Sequence, residues 1–435
     1  MRVVMVSLAA LMALSAPASA ETLAESMVSA IEGNPTLAAQ RQRLNATREA
    51  LPQALSAALP QVSISGSASA VDRDSDNPLL DTDRSETWSA NANVSQLLFG
   101  SGRVLASTRA ARAQVAGAVA DYELAQQTLL LDVTRAYADV RQNQAILAAR
   151  QTNVSNLTRL LEFAQAQFDA GVVTRTDVAQ AQARLAQART QYVQAQGLYA
   201  AAVQAYQRLV GRPPADLVAP LPAAGLPRDL ASALEQAEDT SPLLISAIAA
   251  TRQADANVDV AAAQGRVNVT LEAGAGMGAD FNDDLSETTN DSVGVRVSVP
   301  LFQGGLIRSR TRAQRALRAA SNLDLAATQR TVQESVTNAW TGLASARAAV
   351  DSAREQVEAA ELAYEGVTLE QETGLRSTIE VLDQETDLLN ARIALAQAER
   401  DLVVAERQLL AAVGVLSVQA GGGGLIENQD GLRGR

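Results

Sequence analysis

The chain has 435 residues, enough for two or three ordinary domains; 47% are apolar but only 3% aromatic, and the formal charge is −12. It holds no cysteine and no histidine, and every basic residue is arginine. Disulfides, thiolate or imidazole metal sites, an acylated cysteine anchor and His- or Lys-based catalysis are excluded, and the acidic balance argues against nucleic acid.

Residues 1–20 read as a secretory signal peptide. Met1-Arg2 is a short basic start, Val3 to Leu14 an apolar run too short to span as a helix, and Ala18-Ser19-Ala20 a small-x-small cleavage site. Beyond it no stretch approaches the ~20 apolar residues of a membrane helix, so any membrane entry must be made by strands. A short helix ends at Gly33, and Asn34-Pro35 opens a second over 35–59, with Pro52 a candidate kink and Pro60 a stop.

Period-two alternation follows. Val62, Ile64, Gly66, Ala68 and Ala70 share one face of a strand over 61–73, and Ser63, Ser65, Ser67 and Ser69 the other. After a polar loop, Asp72 to Arg84, a second strand covers 85–99. The lack of strong breakers predicts a long helix over 101–170, which Gly171 ends. A return helix over 174–211 carries heptad spacing from Val178 through Leu185, Tyr192, Tyr199 and Tyr206, with alanines between. Residues 212–228 form a proline-rich linker.

The second half, 229–414, copies the first. Its expected elements are helix 242–264, strands 266–281 and 290–302 around an acidic loop from Asp280 to Asp291, and helices 304–373 and 377–414. Phe99 returns as Phe302, Gly171 as Gly374 and Gly211 as Gly414, each offset by 203 residues (302 minus 99). A gapless offset over such a length suits paired helices, where one inserted residue rotates all that follows by about 100°. Residues 415–435 read as a flexible tail.

Four half-apolar strands cannot close a barrel, and an open edge is not viable in lipid, so several chains must share one. The alternative is a periplasmic coiled-coil scaffold or adaptor with soluble hairpins.

The order helix, hairpin, long helix, return helix, twice over, resembles the TolC family of outer-membrane efflux and type I secretion proteins. The marks are Asn34-Pro35, Leu97-Leu98-Phe99-Gly100, Pro300-Leu301-Phe302-Gln303-Gly304-Gly305, the run Gly171 to Val178, and Gly374 to Asp383. The resemblance implies an α+β membrane protein. A homotrimer would form a twelve-stranded β-barrel in outer-membrane lipid, continued by a twelve-helix periplasmic tunnel with a coiled-coil end. It implies an export duct without cofactor or enzymatic activity, serving a periplasmic adaptor and an inner-membrane ABC or proton-driven pump.

Glu380 and Asp383, three apart on one helix face with Asp387 extending the stripe, would become acidic rings in a trimer. The resemblance places such rings at the periplasmic constriction. Ser377-x-x-Glu380 and Thr174-x-x-Asp177 are also capping boxes, so Glu380 and Asp177 have a purely structural reading as well. The resemblance further implies a gate latch from Arg376 to Thr176 and Asp177, with Gln371 near the family's tyrosine position. The turns at Gly171-Val172 and Gly374-Leu375 are expected to dock the adaptor.

Overall fold

The computed structural model describes residues 20–72, 85–281 and 283–421. The expected signal peptide up to Ser19, nearly all of the first polar loop and the expected tail beyond 421 lie outside them. The chain divides into two compact units.

One unit comprises residues 39–123 and 242–332. Its centre is a single antiparallel sheet in the order β1 (Gln61–Val71), β2 (Ser85–Phe99), β3 (Asn268–Asp280) and β4 (Asp283–Ser298). The register aligns Ile64, Ala92 and Ala275 in one row and Val62, Val94, Ala273 and Val293 in the next, so the apolar faces of all four strands coincide. Val62, Ile64, Val293, Val295 and Val297 are exposed on that face. The opposite face collects Ser63, Ser65, Ser67, Asn91, Asn93, Gly274, Gly276 and Gly278. A β-carbon on Gly276 would stand 2.5 Å from the Asn91 side-chain oxygen, so the asparagine occupies space that only a glycine leaves. The outer edges of β1 and β4 pair with no other described strand.

The acidic segment expected to be a loop is strand instead. β4 starts at Asp283, three residues after β3 ends, and Thr288 and Asn290 pair with Gly278 and Gly276. β-branched threonines favour the strand, and the continued ladder satisfies backbone groups that a loop would leave to water. The apolar face accordingly turns polar towards the hairpin end, where Asp291 and Thr289 stand opposite Ala275 and Met277. At its other end β4 stops at Ser298 rather than 302, because Pro300 has no N–H for the ladder. The helix expected over 35–59 is divided into α2 (Pro35–Arg48) and α3 (Ala50–Ser56), a break that lets Pro52 sit in a first turn.

The other unit comprises residues up to 38, 124–241 and from 333 on. It holds α1 (Leu23–Gly33), α5 (Arg175–Val210), α6 (Leu230–Thr240), α9 (Thr378–Val413) and most of the long helices α4 (Arg103–Asp169) and α8 (Leu306–Glu372). The remaining helix, α7 (Pro242–Ala263), belongs to the sheet unit. Glu21 is buried and accepts bonds from Tyr206, Arg212, Ser26 and the Ala215 N–H, which fixes the segment leading into α1 against the end of α5.

The copies match in detail. α4 and α8 each span 67 residues and α5 and α9 each 36, with starts again 203 apart (306 minus 103). Ser101, a non-glycine residue at φ +47°, repeats as Gly304 at +58°. The serine hydroxyl donates to the Val267 carbonyl at 2.6 Å, anchoring a conformation that the glycine adopts freely. Along α5 and α9 the heptad seam is buried or half-buried throughout.

Candidate functional site

The ends of the two helical hairpins share one backbone design. Gly171 and Gly374 are left-handed, at φ +75° and +78°. Their N–H groups donate to Phe168 and Gln371, and the next N–H groups, of Val172 and Leu375, reach back to Gln167 and Glu370, all at 2.9 Å. This double bond satisfies the last carbonyls of α4 and α8. It leaves the side chains of Val172 and Leu375 exposed at the turns.

Each return helix then starts on a capping box. Thr174 donates to Asp177 from its backbone at 2.9 Å and its hydroxyl at 2.8 Å; Ser377 does the same to Glu380 at 2.9 and 2.8 Å. Those Thr174 donors hold the Asp177 carboxyl below the usual carboxylate range. Glu380 is lowered further, to about 2, by the Ser377 backbone first, then Arg376 and the Ser377 hydroxyl.

The tips differ in charge. Arg376 donates from Nε to Glu370 and from Nη1 to Glu380, both at 2.7 Å. The contact expected from Arg376 to Thr176 and Asp177 is not made within the chain: Glu370 and Glu380 flank the arginine on its own hairpin, and Asp177 is engaged by Thr174. Asp383 lies exposed on the face expected, but Arg184 of α5 stands 3.4 Å from it. Both expected ring carboxylates therefore carry an arginine. Gln371 is buried and donates to the Thr378 hydroxyl at 3.2 Å, inside the second tip rather than towards the first.

Reading the sequence for rings missed a buried carboxylate two residues beyond Asp383. Glu385 accepts from Asn153 at 3.0 Å and from Asn156 at 3.1 Å, both on α4. It also helps burial push the Tyr364 hydroxyl of α8 up to about 12. Leu157, Leu185, Ala188 and Leu382 form an apolar cluster in the same segment. One signal for this was present: Glu385 lies three residues after Leu382 and four before Leu389, in a second apolar stripe of α9.

A duplicated chain with a two-faced four-stranded sheet and two long helical hairpins has the fold of an outer-membrane channel. The Campylobacter jejuni CmeC outer membrane channel shares it at a TM-score of 0.81 and 18% identity, over 91% of this chain and 86% of that one. The chain belongs to the outer membrane efflux protein family, whose pattern matches residues 27–212 and 233–415. It is 29% identical over 378 residues to the outer membrane efflux protein BepC of Brucella suis, covering 87% of this chain and 82% of the relative. It is 28% identical over 393 residues to the outer membrane protein TolC of Vibrio cholerae, covering 88% of each. The protein is an outer-membrane export duct, of a family of transport proteins rather than enzymes.

Proposed function

We propose that three copies close their sheets edge to edge into a twelve-stranded barrel, prolonged by a twelve-helix periplasmic tunnel. The observation that carries this reading is a sheet whose two edges pair with no other described strand while one face exposes valine and isoleucine. Trp88 and Phe99, on the apolar face of β2, are eleven positions apart. That is roughly 37 Å along a strand, and a tilt of about 40° reduces it to roughly 28 Å, close to the ~25 Å apolar height of such barrels. The repeat supports the same closure. Leu323 of α8 is 72% exposed where its counterpart Ala120 of α4 is 1%, and Val193 of α5 is 63% exposed where Ala396 of α9 is 9%. Faces covered within the chain in one copy stand open in the other, as expected where a neighbouring copy covers them.

Cargo, protein or small molecule, enters from an inner-membrane ABC or proton-driven pump through a periplasmic adaptor docked on Gly171-Val172 and Gly374-Leu375. Glu380 and Asp383 line the periplasmic constriction as rings compensated by Arg376 and Arg184. Arg376 reaches Thr176 and Asp177 only by leaving Glu370 and Glu380, and that exchange is the latch. Outer-membrane fractionation tests the assembly: a heat-modifiable trimer is expected, and a soluble monomer would overturn it. Planar-bilayer recording tests the site. Asp177→Ala should change the conductance of normal trimers, and Asp383→Ala should weaken block by multivalent cations; no change in either would remove those roles.

A further inference from the structure

The polar face of the sheet is almost free of charge. Serine, asparagine, threonine and glycine fill most of it from β1 to β4; Asp280 accepts from Ser85 at the hairpin end, and at the opposite end of the sheet Glu272 of β3 pairs with Arg296 of β4. The pair is bidentate: Arg296 donates from Nε and Nη2 to the two Glu272 carboxylate oxygens at 2.7 and 2.8 Å. It runs diagonally across the ladder, because Glu272 stands opposite Gly294 and Arg296 opposite Thr270. A β-carbon on Gly294 would meet nothing within 4 Å, so no atom crowds that side of the pair. Glu272 is the fifth residue of β3 and Arg296 the third from the end of β4, so the pair lies at the end of the sheet away from the β3–β4 turn. In the first hairpin the equivalent ladder positions are Ser65, opposite Asn91, and Asn93, opposite Ser63.

An exposed pair of this kind contributes little to stability. Its effect is on the field: a lone carboxylate or guanidinium on a lumen wall would bias the passage towards one sign of ion, and the bidentate pair cancels that bias. We propose that Glu272 and Arg296 are specificity-determining residues that hold the barrel mouth near neutrality, so that cationic and anionic polar cargo both pass. This rests on the polar face being the lumen of the trimeric duct proposed above.

The test is the reversal potential of full-length trimers in planar bilayers under a KCl gradient. R296Q leaves three unpaired carboxylates per trimer and should raise the K⁺/Cl⁻ permeability ratio about twofold or more; E272Q should lower it by a similar factor. Both shifts should be large at 0.1 M salt, where the screening length is ~10 Å, and collapse at 1 M, where it is ~3 Å. The double variant E272S/R296N, which gives the second hairpin the chemistry of the first, should keep the unaltered ratio, as should the reversed pair E272R/R296E. Conducting pores whose single variants leave the ratio unchanged, or shift it in the same direction, would overturn the inference and leave the duct standing. If the single variants do not insert, a changed ratio in either double variant would overturn it. Failure of the unaltered protein to form pores would instead overturn the duct, and this inference with it.

Discussion

The two halves of the chain have matching elements and different burial, and the contrast shows how side chains decide what a shared frame packs. α9 carries two buried stripes: the heptad seam, and a second that includes Leu382, Glu385, Leu389 and Leu410. α5, its copy, is buried along one stripe only, and Val193 and Leu198 stand exposed on it. The second stripe of α9 is covered in part by α4 of its own chain, through Asn153 and Asn156. Among the described residues the matching face of α5 has no such cover, and Gln182, the counterpart of Glu385, is exposed. A gapless repeat thus supplies identical frames, while the residues on them decide which faces are covered within the chain and which stay exposed.

The largest test of that contrast is at the ends of the return helices. A β-carbon on Gly414 would stand 2.5 Å from the Thr240 carbonyl oxygen, whereas Gly211 meets nothing. Both are left-handed, at φ +95° and +90°. Gly211→Ala should therefore cost only the conformational strain, about 1 kcal/mol, and Gly414→Ala about 3 kcal/mol or more. Thermal unfolding followed by circular dichroism would compare them, and equal losses would break the distinction.

Next comes the buried carboxylate. Glu385→Ala strands the Asn153 and Asn156 amides and should cost about 2–4 kcal/mol. Its counterpart in the repeat, exposed Gln182, should tolerate alanine within about 0.5 kcal/mol. The same unfolding midpoints read both.

A smaller effect separates the tips by pH. Glu380 is depressed to about 2, so its contribution is complete above the ordinary glutamate range near ~4.3 and is lost as pH falls through about 2. The difference in melting temperature between the unaltered protein and Glu380→Gln should stay constant from pH 7 to about 5, then close towards pH 2. A difference that vanished by pH 4 would show that Arg376 and Ser377 do not hold the carboxylate. Smallest of all, Arg184→Ala removes a half-exposed pair and should change stability by about 0.5 kcal/mol or less.

Much of this architecture was legible because glycines, caps and alternation act locally. Gly171, Gly374, Gly211 and Gly414 each end a helix where the spacing placed them. What escaped had non-local causes. The acidic segment became strand because β3 lay beside it as a template, and composition carries no trace of a neighbour. The partner of Asp383 depends on which hairpin face meets which, and Glu385 is buried only because α4 passes over it; Arg376 alone is engaged locally, by Glu370 and Glu380 of its own hairpin. Single-chain periodicity encodes one seam per helix clearly and the second faintly.

In the trimeric duct proposed above, with the polar face as its inner wall, the fit of Asn91 over Gly276 would also bear on the width of the passage. An amide seated on bare backbone lies flat along the wall instead of projecting from it. Residues with no side chain would thereby widen the proposed bore, and a larger residue at Gly276 would lift the amide inwards and lower the diameter of the largest solute admitted.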